Sequence, residues 1–311
     1  MRSYEDLCRR WGTPAWPATV QTLAAWITAR TFGSMGQGRI QATTLASYFS
    51  ALRSVHVDMA LPVTVFDEEH LRRMLAGAHH AFVKVPAPAR LPLSRDLLLR
   101  LLTPEAVAGE PYIDTVNLNA AFTLAFAGFL RIGEFTYKEP ELREPALFNG
   151  RRLTPACITF SANGDHMTLL LRRSKADRLG EGVRILIAAA DDEACPVARM
   201  RSLMAARPEP PPSGHPDPLF ILRGAPFTRD HVLRRLRSRL ARIRADVAGI
   251  KGHSFRKGAA QHAANQGLTR EEIQVLGRWS SDAVDRYFRT SLRRRYALQR
   301  QFATGMTPAL S

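Results

Sequence analysis

Cysteine is scarce in this 311-residue chain. Cys8, Cys157 and Cys195 stand far apart, and no C-x-x-C pair occurs. So odd and sparse a set excludes a disulfide framework and predicts reduced thiols inside a cell. Long apolar runs are missing as well. The longest, Ala120 to Leu130, is too short to span a bilayer and is followed by arginine. The opening "MRSYEDLCRRWG" lacks the apolar centre of a signal peptide, so no membrane partner is expected. Low-complexity sequence is confined to "PEPPPSGHPDP", and there is no internal repeat. Acidic residues are outnumbered, with 28 Asp and Glu against 44 Lys and Arg, and they form no cluster fit to hold divalent metal ions. His79 and His80 have no companions at ligand spacing, so no metal site is expected.

What is present is a composition suited to folding, 45% hydrophobic and 23% charged, with a formal charge of +16. A surplus of that size favours a polyanionic partner. It is unevenly placed: Thr228 to Arg300 holds 18 Lys and Arg against 6 Asp and Glu.

The length suits two domains. Apolar residues recur at helical spacing in "PATVQTLAAWITARTF", with Pro17 in a first turn, and in "IQATTLASYFSALRSVHV" and "FDEEHLRRMLAGAHHAFV", with Asp67 as an N-cap. Trp11, Trp16 and Trp26 are read as core. The prolines of "KVPAPARLPLS" mark a semi-rigid linker, and Ser94 caps the next helix. This divides the chain into a helical domain 1–84, a linker 85–93 and a second domain 94–311. In the second domain "NLNAAFTLAFAGFLRIGEF" is apolar nearly all round, hence buried. Two strands, "ACITFSA" and "HMTLLLRRS", flank an Asn-Gly turn, and "VRILIAA" makes a third. The expected architecture is mostly α with a small three-stranded antiparallel sheet.

Chemistry concentrates late in the chain. In "GHSFRKGAAQHAANQG" His253 and Arg256 are three residues apart, a spacing that sets two side chains on one helical face. The helix after it opens on a capping box, Thr269 with Glu272, and ends at Gly277. A further helix from Ser281 carries Tyr287. Arg131 follows the buried helix, where an unpaired guanidinium is costly, so it should meet a carboxylate or an anion, and Glu134 three residues on can orient it. Lys175 sits in the turn after the second strand, where a lone lysine is ordinarily a solvated one. Two arginines, a lysine, a histidine and a tyrosine are what phosphodiester transfer without a metal requires. Arginines hold non-bridging oxygens, tyrosine is a nucleophile, and lysine and histidine move protons.

Four blocks, "LRIGEF", "LRRSKADRLGEGV", "GHSFRKGAA" and "LGRWSSDAVDRYFR", resemble in order and spacing those of the tyrosine recombinases, over about Leu91 to Phe302. Their wording is similar to that of fungal Crypton-type mobile elements. The resemblance implies a helical core-binding domain and an α+β catalytic domain clamping DNA as a C. It implies Arg131, Lys175, His253, Arg256 and Tyr287 as catalytic residues, with Glu134 in an acidic accessory place. It also implies no cofactor, double-stranded DNA recombination sites as partner rather than a small-molecule substrate, a homotetramer on paired sites with the C-terminal tail contacting a neighbour, and a nuclear location. One departure stands out. Where the family has His or Trp after the glycine of "LG", this chain has Arg278 and then Trp279, and Trp279 is favoured for its indole N–H.

Phosphate contacts are expected from Arg229, Arg234 and Arg235 in the arginine row "TRDHVLRRLRSRLARIR", from Arg172 and Arg173 before Lys175, and from Lys257. His262 is read as structural. Tyr296 lacks the "LGRWSSDA" lead-in and ranks below Tyr287. The resulting expectation is a site-specific DNA recombinase working through a 3′-phosphotyrosine. The competing expectations are a domesticated DNA-binding protein without catalysis and a type IB topoisomerase-like relaxing enzyme.

Overall fold

A computed structural model describes residues 1–81, 91–173, 180–246 and 248–279. The chain divides into two compact units, Met1–Ala87 and Pro88–Ser311. In the first, helices α1 (Arg2–Arg10), α2 (Val20–Phe32), α3 (Ala42–Asp58) and α4 (Glu69–Ala81) enclose Tyr4, Leu7, Leu23, Trp26, Leu45, Leu52 and Leu71. Helix α2 begins later than the position of Pro17 suggests, because Thr19 and Thr22 form a reciprocal cap. Asp67 does not cap α4 either; it closes a 3-10 turn, Thr64–Asp67. Trp26 is central and fully buried, and Trp16 packs its ring against Tyr4 and His56. Trp11 is not core: it follows the end of α1 and is 45% exposed.

The second unit starts within the stretch expected to be linker. Leu91 and Leu93 donate backbone hydrogen bonds to the Gly249 and Ser254 carbonyls (2.9 and 3.0 Å), and Leu93 is fully buried. Ser94 then caps α5 (Arg95–Arg100), as expected. The helices α6 (Pro104–Val107), α7 (Tyr112–Ala127), α8 (Ile132–Phe135) and α9 (Pro145–Arg151) precede the strands, and α10 (Pro196–Ala206), α11 (Arg229–Arg242), α12 (Ser254–Asn265) and α13 (Arg270–Gly277) follow them.

Helix α7 is buried on nearly every side, and residues such as Phe122 and Leu124 each contribute about 1.5–3 kcal/mol through burial. Its buried polar residues are satisfied: Asn117 and Asp114 accept from the Ile221 and Arg223 N–H groups at 2.8 and 2.7 Å. Strands β1 (Ile158–Phe160), β2 (His166–Leu171) and β3 (Val183–Ala188) form an antiparallel sheet in that order, with Thr159 opposite Thr168 and Leu169 opposite Ile185. Met167, Leu169 and Leu171 alternate inward on β2. Gly164 takes the positive φ of +78° that the hairpin turn requires. The three cysteines are free and buried, and among the described residues no helix is long and apolar enough to cross a membrane.

Candidate functional site

The site is built where two turns meet. Helix α7 is capped by Gly128, and the chain reverses through Phe129, whose φ is +49°, to present Arg131 ahead of α8. The turn before α12 comes alongside, and the Ile132 N–H donates to the Gly252 carbonyl at 3.2 Å. That approach requires glycine, since a Cβ at position 252 would lie 2.5 Å from Ile132 Cγ2. The outcome is a cleft of about 810 Å³ that Arg131 and His253 line together with Arg151, Arg152, Arg173 and Arg229.

Arg131 meets the carboxylate the sequence leads one to expect. Its backbone N–H and its Nη1 donate to the two oxygens of Glu134, each at 2.8 Å. Glu141, which also lines the cleft, bonds Arg152 and accepts from the Lys138 N–H at 2.8 Å. Burial pushes the Glu141 carboxyl upward, yet Arg152 and Lys138 outweigh it and hold the group below the usual carboxylate range. Both acids in the cleft are therefore engaged by cations. Among the described residues, no hydrogen bond or ion pair engages the side chains of Arg151, Arg173 and Arg229, so the cleft presents net positive charge. Such a surface suits a phosphate oxygen rather than a neutral ligand.

The His253–Arg256 pair straddles a helix boundary. His253 is the N-cap of α12, exposed in the cleft, whereas Arg256 is 1% exposed. Arg256 donates to the Phe129 carbonyl at 2.8 Å and to the Gly277 carbonyl, and its guanidinium lies 4.4 Å from the Trp279 ring centroid. Trp279 folds over Gly277 and meets Phe129 edge-on at 6.2 Å. It serves here as a wall for Arg256. The Thr269–Glu272 capping box and the end of α13 at Gly277 fall as expected, and Arg278 follows in the left-handed region.

The arginine row of α11 turns inward more than the expected phosphate contacts imply. Arg235 pairs with Asp114 at 2.8 Å, and Arg239 with Glu110 at 2.7 Å. Arg229 lines the cleft and Arg234 is exposed. Arg172 and Lys257 are half-buried, and Arg173 is exposed at the cleft. His262 packs on Phe126, and burial, with Arg95 adding to it, pushes its imidazole below the ordinary histidine range. Lys175, Tyr287 and Tyr296 lie outside the described residues. Arg151, Arg152 and Glu141 escaped the sequence-based reading; the Arg151-Arg152 doublet was the available signal.

No protein-family model matches the sequence, and no curated protein matches it. Solved structures do. The Tn1549 transposon integrase in complex with transposon right end DNA aligns over 97% of this chain and 93% of its own, at 14% identity and a TM-score of 0.58. The XerH site-specific recombinase bound to palindromic difH substrate aligns over 91% and 79%, at 12% identity and a TM-score of 0.53. A lambda integrase dimer bound to a COC′ core site aligns over 92% and 69%, at 18% identity and a TM-score of 0.50. The chain therefore has the fold of the tyrosine recombinases, mostly helical with a small three-stranded antiparallel sheet.

Proposed function

We propose that the chain is a site-specific DNA recombinase that cuts and rejoins strands through a 3′-phosphotyrosine. The observation that carries this is the basic cleft in which Arg131, braced by Glu134, faces His253, on a fold shared with DNA-bound recombinases. Tyr287 supplies the hydroxyl that attacks phosphorus. The P–O bond to the 5′ oxygen breaks as the bond to tyrosine forms, and Lys175 protonates the departing oxygen. Arg131 and Arg256 balance charge on the non-bridging oxygens, and His253 assists the proton transfer. Reversal by a new 5′ hydroxyl rejoins the strand, so the phosphotyrosine conserves the bond energy and no cofactor is consumed. The helical unit at the N-terminus acts as a DNA-binding domain, and four copies assemble on two paired sites. The Crypton-like wording of the motif blocks points to a mobile element and to action in the nucleus.

The test is adduct trapping on a nicked suicide duplex, selected by the full chain from a randomised pool, in excess EDTA. The wild type should form a covalent protein–DNA adduct. Tyr287→Phe should bind the duplex and form none. Binding without any adduct from the wild type would favour a DNA-binding protein that has lost catalysis. Relaxation of supercoiled plasmid with no preferred site would favour the topoisomerase-like alternative.

A further inference from the structure

Position 278 holds arginine where the resembling family carries His or Trp, and the structure gives that arginine a definite set of partners. The Arg278 backbone is left-handed (φ 55°, ψ 47°), an uncommon conformation for a residue with a side chain. Its Nη1 donates to the Gly128 carbonyl at 2.8 Å. Its Nη2 lies 3.4 Å from the Phe129 carbonyl and 3.5 Å from Glu134 Oε2. The Phe129 carbonyl is the one that accepts from Arg256 at 2.8 Å, and Glu134 is the carboxylate that accepts twice from Arg131 at 2.8 Å. One guanidinium thus touches both the acceptor that anchors Arg256 and the acceptor that braces Arg131.

Charge gives the arrangement a consequence beyond packing. The Arg278 side chain is 14% exposed and that of Glu134 6%, so their interaction is poorly screened. Burial pushes the Arg278 guanidinium below its ordinary range, with Glu134 opposing that and Arg131 adding to it. A cation kept in such surroundings must be compensated, and here two carbonyls and a carboxylate compensate it. If Arg278 is removed, the whole charge of Glu134 falls on Arg131, whose remaining capacity for an anion drops accordingly. The Phe129 turn also loses one of the two guanidinium groups that hold its carbonyl.

We infer that Arg278 is a positioning residue. Through Glu134 and the Phe129 carbonyl it sets the spacing of Arg131 and Arg256, and it takes up part of the Glu134 charge so that Arg131 stays available to a non-bridging phosphate oxygen. This rests on the function proposed above, and it assigns Arg278 to the arginine pair rather than to the phosphate itself.

The experiment measures single-turnover adduct formation by the full chain on the selected duplex. Each rate is taken with an ordinary phosphate and with a methylphosphonate at the scissile position, where a methyl group replaces one charged oxygen. Arg278→Met should slow adduct formation on phosphate roughly a hundredfold, the scale of a misplaced reacting group, while DNA affinity stays within about twofold. On methylphosphonate the defect should shrink, because less charge has to be met. Adding Glu134→Gln to Arg278→Met should recover part of the rate on phosphate, as coupled neighbours do in a double-mutant cycle. Arg278→Lys keeps the charge but cannot span three acceptors, so it should fall in between; it carries the same comparison should Arg278→Met fail to fold. The inference is overturned by a wild-type rate in Arg278→Met, by equal defects on both substrates, or by a loss confined to DNA binding. A wild-type chain that forms no adduct on phosphate would instead overturn the recombinase reading itself.

Discussion

Arg239 on α11 and Glu110 ahead of α7 meet at 2.7 Å with side chains 0% and 1% exposed. Arg239 also donates to Asn119 Oδ1 at 2.6 Å and to the Leu101 carbonyl at 3.1 Å, and Arg242 approaches the same carboxylate at 3.4 Å. Burial pushes the Arg239 guanidinium below its ordinary range; the hydrogen bonds and charge of Glu110 oppose this only in part, and Arg235 and Arg242 add to it. Arg239→Met leaves the buried Glu110 carboxylate to its longer ion pair with Arg242 and should cost about 3–5 kcal/mol. Arg239→Met with Glu110→Leu should regain most of that. Urea unfolding of the three variants measures it, and a single-substitution cost under about 1 kcal/mol would refute the role.

Gly258 packs α12 directly onto the chain at Leu93. A Cβ there would stand 1.7 Å from the Leu93 carbonyl oxygen, which is backbone and cannot swing away. Gly258→Ala should therefore destabilise the second unit by about 1–3 kcal/mol despite alanine's higher helix propensity. Thermal unfolding decides between the two effects; a raised midpoint would mean that propensity wins.

His262 ties stability to pH. Its folded-state pKa is lowered by burial, with Arg95 adding to the effect, so between the unfolded value near 6.5 and the lower folded value the unfolded chain binds more protons. Its contribution is complete above pH of about 6.5 and is lost as pH falls through that window. His262→Gln should flatten this part of the stability profile. An unchanged slope in the variant would remove His262 as the cause.

Arg229 and Arg235 should separate binding from folding. Arg229 faces the cleft, and Arg235 is held by Asp114 at 2.8 Å. Arg229→Ala should weaken DNA binding and reduce the salt dependence of log K by about one unit. Arg235→Ala should lower the unfolding midpoint with a smaller effect on the salt slope. Salt titrations of both variants check this, and a reversed pattern would reassign the row.

Lys175, as general acid, should matter only where the leaving oxygen needs a proton. Lys175→Ala should slow cleavage of an ordinary phosphodiester by roughly 10²–10⁴-fold. A 5′-bridging phosphorothiolate, whose sulfur leaves unprotonated, should largely erase that defect, while Arg131→Ala gains no such rescue. Equal Lys175→Ala defects on both substrates would make it a DNA-holding residue, with His253 the next candidate acid.

The sequence alone determined what depends on near neighbours. Asn163-Gly164 placed the hairpin, Thr269 with Glu272 placed the start of α13, and Ser94 placed the start of α5. The three-residue spacing of Arg131 and Glu134 foretold their contact. Each of these is governed by hydrogen bonds that close within a few residues, so the local order of residues suffices. Tertiary structure decided what depends on distant partners. The α11 arginines read alike in sequence, yet Arg235 and Arg239 meet carboxylates more than a hundred positions away, whereas Arg229 is left to the cleft. Trp11 and Trp26 also read alike, and only packing exposes one and buries the other. The junction of the Arg131 and His253 turns rests on an absent Cβ at Gly252 facing Ile132, 120 residues earlier. Such choices belong to long-range packing, which no periodicity of 2 or 3.6 residues encodes.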